Sequence, residues 1–211
     1  MIVTYQGGQC FKIQFGDTTI GINPPSKDSD LKPVRFGADI VLVTTQDKDF
    51  NGVQAMEFGE KKPFVISGPG EYEVGGVFVK GFKSHSSYGG KDKINTIYTL
   101  SLDNINMCFL GALDTKDLGA ETLESMDEVD MLFVPISGEG VLDSVNAYKL
   151  GVSLEAKAII PMQFSDTSDK NLKNFLKEAG AEKAEAQDKL TVKRKDLDGK
   201  QGEVMVLAPV N

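Results

Sequence analysis

Two carboxylates stand in a short polar loop directly after an apolar run. The run covers residues 40–43 of ADIVLVTTQDKDFNG (residues 38–52), and the loop that follows contains Asp47 and Asp49. Carboxylate oxygens suit hard cations such as magnesium or calcium and can also move protons. The loop therefore has the residue types of an active-site loop, although it contains no histidine.

The single histidine of the chain, His85, lies in the segment KSHSS. A histidine can act as a general base or acid near neutral pH, and Ser84, Ser86 and Ser87 are its neighbours in sequence. Adjacent residues on a strand point to opposite faces, so the sequence does not establish a Ser–His pair. A hydrogen-bonded loop histidine is the structural alternative, and both interpretations stay open at this point.

The bulk composition excludes some classes of function. The chain has 211 residues, a net charge of −8 and a pI near 4.8, which argues against general nucleic-acid binding because that needs a basic face. The basic residues 193–195 are interpreted as one exposed strand face. The start, MIVTYQGGQCFKI, lacks a signal-peptide pattern, and no apolar run is long enough for a bilayer. Cys10 and Cys108 lie in apolar runs and are expected to be free, buried thiols. We expect a cytoplasmic protein without nucleic-acid or membrane partners.

Many strands must position these residues, followed by alternating helices and strands. Apolar runs and turn residues predict strands at residues 1–5, 9–15, 18–22, 40–43, 64–66, 77–82, 96–102 and 107–110. In the second half, three helices are predicted. They cover residues 120–126, residues 145–154 after the capping residue Asp143, and residues 172–176 before Gly180. Strands are predicted at 131–134 and 158–160, with a closing pair at 190–192 and 204–207. This order predicts one domain over residues 1–211, with two mixed sheets face to face and helices outside.

The ordered segments resemble the metallo-β-lactamase fold superfamily, in particular its small members related to ascorbate-phosphate lactonases. The resemblance covers essentially the whole chain and is carried by IVTYQGGQCFKIQFGDTTIGINPP, ADIVLVTTQDKDFNG, SGPGEYEVGGVFVKGF, FLGAL, VPISG and IIPMQF. It implies an α+β fold: a four-layer αββα sandwich of two mixed β-sheets.

The resemblance also implies that most metal ligands have been replaced. In the family motif His-x-His-x-Asp-His, the histidine positions correspond to Thr45, Asp47 and Phe50, and only Asp49 matches. Of the remaining ligand positions, only His85 matches a histidine of the family. Ala112 replaces the bridging aspartate, and Gln163 replaces the last histidine. Asn23 replaces an aspartate after the third strand.

These replacements change the chemistry that the family performs. A catalytic zinc needs about three protein ligands and an open position for water. Phe50 and Ala112 cannot bind a metal, and neutral oxygens are poor substitutes for imidazole. No cofactor is therefore expected. The alternative is a single divalent cation held by Asp47, Asp49 and His85.

The expected function is binding rather than hydrolysis, of a small ligand or a protein partner in the former active-site cleft. The alternative is a hydrolase of lactones, phosphoesters or amides with His85 and Asp49 as catalytic candidates. It would use either a rebuilt mononuclear metal site on Asp47, Asp49 and His85 or a metal-free site through His85. A homo-oligomer is a further alternative. The predicted cleft residues are Thr45, Asp47, Asp49, Phe50, His85, Ala112 and Gln163.

Overall fold

The computed structural model describes residues 1–60 and 62–210, and the first of its two sheets begins with a pair of antiparallel hairpins. The strands of this sheet, sheet A, are β1 (Ile2–Gly7), β2 (Cys10–Phe15), β3 (Thr18–Ile22), β4 (Ile40–Leu42), β5 (Phe64–Ile66) and β12 (Leu190–Thr191). Their order is β12-β1-β2-β3-β4-β5, antiparallel from β12 to β3 and parallel from β3 to β5.

The second sheet, sheet B, is also mixed. Its strands are β6 (Gly70–Val74), β7 (Val77–Ser86), β8 (Lys93–Leu102), β9 (Ile105–Phe109), β10 (Met131–Pro135), β11 (Ala158–Met162) and β13 (Glu203–Val204), in the order β13-β11-β10-β9-β8-β7-β6. The β8–β9 hairpin turns at Asp103 and Asn104, which both have positive φ, as a tight hairpin turn requires. The helices are α1 (Ala120–Ser125), α2 (Ser144–Ser153) and α3 (Lys170–Glu178).

The main core lies between the sheets because alternate strand residues point inward. Val3 and Tyr5 of β1 and Phe11 of β2 are fully buried. Phe11 meets the ring of Phe133 edge-on, and the rings of Phe109 and Phe133 stack with centroids 4.0 Å apart. This continuous apolar layer packs the two sheets against each other, and so fixes the positions of the loops at their edge.

The outer layers of the two sheets differ. Helices α2 and α3 pack against each other, and α2 packs on β10; Asp143 caps α2 by accepting from the amide of Asn146, as predicted. The outer face of sheet A, around Val41, is covered by Val34, Ala38 and Met56 from irregular segments and a 3₁₀ turn at Val53–Met56. The predicted α+β sandwich of two mixed sheets is confirmed, with this cover as the outer layer on sheet A.

Two local predictions are wrong. The closing strands do not pair with each other: β12 pairs with β1 and β13 with β11, in different sheets. The run predicted as a strand face at residues 193–195 instead enters a 3₁₀ helix, Arg194–Asp196, because the guanidinium of Arg194 turns to bond the buried Asp130. The prediction of one domain includes Lys61 and Asn211, which lie outside the described residues.

Both cysteines are free and buried, as predicted. In the described part of the chain, no helix combines the length and the apolar composition needed to cross a bilayer.

Candidate functional site

The polar loop predicted as the centre of the site leaves β4 and is fixed at once to sheet B. The amide of Thr96 donates to the carbonyl of Thr44 at 2.8 Å, and Thr45 forms an isolated bridge with Asn95. The hydroxyl of Thr45 donates to Oδ1 of Asn95 at 2.9 Å, with both side chains buried. Thr45 therefore serves as a joint between the two sheets.

Asn95 uses both ends of its carboxamide to join three segments. Its Oδ1 accepts from Thr45 and from the amide of Ala112, the latter at 2.9 Å. Its Nδ2 donates to Ser84 Oγ and to the carbonyl of Leu110, each at 2.8 Å. Asn95 did not emerge from the sequence analysis, although an asparagine inside a strand of high β-propensity was a usable signal, because asparagine is depleted in strands.

A second set of neutral side chains joins Gln163 to the start of the loop. Nε2 of Gln9 donates to Oε1 of Gln163 at 2.7 Å, and Nδ2 of Asn23 donates to Oε1 of Gln9 at 3.1 Å. Asn23 also donates to the hydroxyl of Thr44 at 2.9 Å and accepts from its amide at 2.8 Å. Gln9 and Asn23 are buried. This amide chain satisfies its own polar atoms, so it needs no cation for compensation.

The first loop carboxylate, Asp47, forms an ion pair with Lys93 of β8 and accepts from the amide of Asp49 at 3.0 Å. Partial burial acts to raise the pKa of Asp47, but the Lys93 ammonium and the Asp49 amide outweigh it and lower the pKa below the usual aspartate value. Asp47 is thus held as a carboxylate by a cation that belongs to the protein.

The second loop carboxylate, Asp49, has different partners. Its oxygens accept from the hydroxyl of Ser29 at 2.5 Å and from that of Tyr88 at 2.8 Å. Burial, followed by the hydrogen bond and charge of Asp49, raises the pKa of Tyr88 above that of a free phenol, so Tyr88 remains a donor. Asp47 and Asp49 are therefore each bonded to side chains of the protein itself, Asp47 to Lys93 and Asp49 to Ser29 and Tyr88.

An apolar cluster adjoins Asp49 through Tyr88. Phe50, Ala112 and Val141 are 1%, 0% and 5% exposed and pack together, with Tyr88 against them. The rings of Phe50 and Tyr88 lie 4.8 Å apart in a tilted arrangement. We call these four residues the aromatic plug. Its two outer members, Tyr88 and Val141, were not predicted, because they come from loops whose approach depends on the tertiary fold.

His85 points to carboxylates rather than to serines. Its Nδ1 lies 2.8 Å from Asp114 and its Nε2 lies 3.4 Å from Asp92, while its side chain is 54% exposed. The hydroxyl of Ser84 donates to the carbonyl of Asn95, and that of Ser86 accepts from the amide of Tyr88. Asp114 was also missed, although it follows Ala112 by only two positions.

The predicted cleft residues thus fall into connected groups. Thr45 and Ala112 meet at Asn95, Phe50 packs on Ala112, and Tyr88 links Phe50 to Asp49. Gln163 is connected to the loop through the hydrogen bonds of Gln9 and Asn23 to Thr44. His85 lies beside Ser84 on β7 but pairs outward with Asp114 and Asp92.

The donor set does not fit the dinuclear metal centre that the resemblance implies. Phe50 and Ala112 carry no lone pair, and the carboxylates of Asp47 and Asp49 already bond Lys93 and Tyr88. Within residues 1–60 and 62–210, no group of three or more His, Cys, Asp or Glu side chains is placed to hold a metal ion. No chemical step is therefore derived through a metal here.

Two mixed sheets, with this loop at their common edge, define the metallo-β-lactamase fold. Residues 2–163 match the family model described as the Beta-lactamase superfamily domain, and the chain belongs to that superfamily. No curated protein matches the chain.

Solved structures with the same fold include proteins named as hydrolases. One from Thermotoga maritima, a "putative zn-dependent hydrolase of the metallo-beta-lactamase superfamily", is 25% identical with a TM-score of 0.76 over 98% of this chain and 97% of that one. A "putative metal-dependent hydrolase" from Parabacteroides distasonis is 16% identical, with a TM-score of 0.66 over 99% and 93%. A metallo hydrolase from Ignicoccus hospitalis is also 16% identical, with a TM-score of 0.62 over 100% and 96%.

Proposed function

We propose that this chain is a non-hydrolytic member of the superfamily, and that it binds a small molecule or a protein partner through the surface around the former metal loop. The observation that carries this proposal is the packing of Phe50 against Ala112 and Tyr88. Phe50 and Ala112 stand at two positions where the resemblance expects metal ligands. A metal that activates water needs several donors and an open coordination position, and this packing offers neither.

The loop carboxylates add support. A cation that entered between Asp47 and Asp49 would have to break the ion pair with Lys93 and the hydrogen bond from Tyr88. It would also meet the repulsion of the Lys93 ammonium at close range. The local charges therefore favour the present internal pairing over metal binding.

Metal content and hydrolysis test the proposal directly. Protein purified without chelators is measured by plasma mass spectrometry and assayed on generic ester and phosphodiester substrates, with and without added manganese. We expect metal well below one equivalent and no hydrolysis above the buffer rate. Stoichiometric zinc or iron, or turnover that depends on manganese, would contradict the proposal.

A second candidate, a metal-free hydrolase, is favoured by the contact between His85 Nδ1 and Asp114 at 2.8 Å. In Ser–His–Asp enzymes a carboxylate holds the histidine so that its other nitrogen can take a proton from the nucleophile. Here the other nitrogen faces Asp92, and the hydroxyls of Ser84 and Ser86 bond elsewhere.

The two hydrolase versions are separated by a pair of variants assayed on the same substrates. Activity lost in His85→Ala but kept in Asp49→Asn would favour the metal-free enzyme. Activity lost in both would favour a mononuclear metal site on Asp47, Asp49 and His85. Our proposal expects no activity to lose.

A further inference from the structure

An open groove lies beside the former metal loop, on the side where irregular segments cover sheet A. Its volume is about 970 Å³, within the range of small-molecule sites, roughly 300–1,000 Å³. It is formed by residues 25–35 on one side and residues 48–55 on the other. The lining residues are Pro25, Ser26, Lys27, Asp28, Pro33, Val34, Arg35, Lys48, Asn51, Gly52, Gln54 and Ala55.

The two walls of the groove are tied together by backbone contacts. The amide of Ser26 donates to the carbonyl of Lys48, and the amide of Gly52 to that of Pro24, each at 2.7 Å. A Cβ on Gly52 would lie 2.1 Å from the carbonyl oxygen of Pro25, so only glycine permits this approach. The groove is therefore preformed in the folded chain.

The floor and the rim of the groove differ in character. Among the lining residues, Pro25 and Val34 are buried, and the half-buried Ala55 packs against the cluster that contains Val34, which gives an apolar floor. The rim carries three cationic side chains, Lys27, Arg35 and Lys48, and one anionic side chain, Asp28.

The charges on the rim are not fully compensated. Lys48 pairs with Asp30 outside the lining, but Lys27 and Arg35 are exposed, and within the described residues neither has a hydrogen-bond or ion-pair partner. Two cations without an ion-pair partner among those residues, Lys27 and Arg35, thus share the lining with one carboxylate, Asp28, and give the groove a local positive excess that is complementary to an anion.

We infer that this groove binds a small organic anion, whose apolar body rests on the floor formed by Pro25, Val34 and Ala55 while its acidic group pairs with Arg35 and Lys27. This inference rests on the proposed binding function and names its ligand class. A guanidinium can hold a carboxylate, sulfonate or phosphate oxygen pair in a fork, and the apolar body gains from leaving water. A long polyanion is disfavoured, because the net charge of −8 on the chain repels it.

The test uses 8-anilinonaphthalene-1-sulfonate as an anionic probe and N-phenyl-1-naphthylamine as its neutral analogue. Binding is titrated by fluorescence with the wild type, Lys27→Gln, Arg35→Gln and the matched control Lys189→Gln, an exposed lysine away from the groove. Loss of one charge-assisted contact at an exposed rim weakens binding about five- to tenfold. We expect this loss for Arg35→Gln and Lys27→Gln, weaker binding of the neutral analogue, and weakening with added salt.

Equal affinity of wild type and both groove variants for the anionic probe would overturn the inference, as would equal affinity for the anionic and neutral probes. Amide chemical shifts provide a second readout. Probe-dependent shifts at Gly52 and Ala55 support the inference, and shifts confined to other parts of the chain contradict it. Failure here leaves the metal and hydrolysis measurements untouched, so it is distinguishable from failure of the proposed function.

Discussion

The hydroxyl of Tyr88 donates a 2.8 Å hydrogen bond to the carboxylate of Asp49. Asp49 is the one residue of the loop that matches the metal motif of the family, and here a side chain of the same protein occupies one of its oxygens. The Tyr88 ring also packs on Phe50, which stands where the family has a histidine. Tyr88 therefore contacts both Asp49 and Phe50.

Tyr88→Phe should therefore destabilise the fold while keeping the ring contact. A hydrogen bond to a charged acceptor contributes about 1.5–3 kcal/mol, and we expect the lower end because Tyr88 is half-buried. Urea denaturation measures the change. Tyr148→Phe is the matched control, because its hydroxyl has no hydrogen bond within the described residues. Equal losses in the two variants would argue against a specific Tyr88–Asp49 contact.

Tyr88 should also contribute to the alkaline limit of stability. Its pKa is raised in the folded state by burial and by Asp49, while in the unfolded chain it is about 10. The stability that Tyr88 contributes is fully present below about pH 10 and is lost as the pH rises above it, because only the unfolded chain releases the proton easily. The difference in unfolding free energy between wild type and Tyr88→Phe should therefore be constant below about pH 10 and shrink steadily as the pH rises above it.

Asp47 should contribute to the stability of the fold at acid pH. Its folded-state pKa is lowered by Lys93 and the Asp49 amide against the effect of burial, so its contribution is present above the unfolded value of about 3.9 and is lost as the pH falls through the folded value. Asp47→Asn should cost about 1 kcal/mol at pH 7 and reduce the slope of stability against pH in the acid range. Glu182→Gln provides the control, because it removes an exposed carboxylate that has no ion-pair or hydrogen-bond partner within the described residues. An unaltered acid slope in Asp47→Asn would contradict the pairing.

Ala112→Asp tests the aromatic plug, because it restores the bridging carboxylate of the family at a position that is 0% exposed. A carboxylate forced among Phe50, Val141 and Tyr88 lacks a compensating cation, and we expect a loss of about 3 kcal/mol or more. Thermal unfolding with and without zinc measures it. Asparagine has the shape of aspartate without its charge, so Ala112→Asn should lower the free energy of unfolding less than Ala112→Asp. Rescue of Ala112→Asp by stoichiometric zinc would show that the metal site is still available.

Asn95→Asp should be among the more destabilising isosteric changes in the chain. The variant loses both Nδ2–H donors and places a carboxylate oxygen against the Leu110 carbonyl, so a loss of about 2–3 kcal/mol is expected. Asn106→Asp is a suitable control, since Asn106 is half-exposed on the neighbouring strand β9. Urea denaturation compares the two. A small loss in Asn95→Asp would mean that the junction of Thr45, Ser84 and Ala112 does not depend on this side chain.

Much of the fold followed from local patterns. The strands on both sides of the β8–β9 turn and the Asp143 cap are decided within a few residues, so sequence reasoning reached them. The pairing of the final strands was not accessible, because β12 and β13 bond to β1 and β11, far away in sequence.

The candidate site shows the same division. The absence of histidine at Thr45, Phe50 and Gln163 can be read directly from the sequence. The sequence also shows two apolar residues, Phe50 and Ala112, at positions where the family has metal ligands. It did not reveal that Tyr88 and Val141 pack against them, nor that Lys93 forms an ion pair with Asp47.

The sequence by itself determined the α+β sandwich, the position of the loop after β4 and the chemical types of its side chains, because backbone periodicity and donor atoms are local properties. Only the tertiary structure decided what those side chains do. Whether a carboxylate binds a cation, a lysine or a tyrosine depends on which group lies within about 3 Å of it, and here those groups arrive from strands and loops tens of residues away.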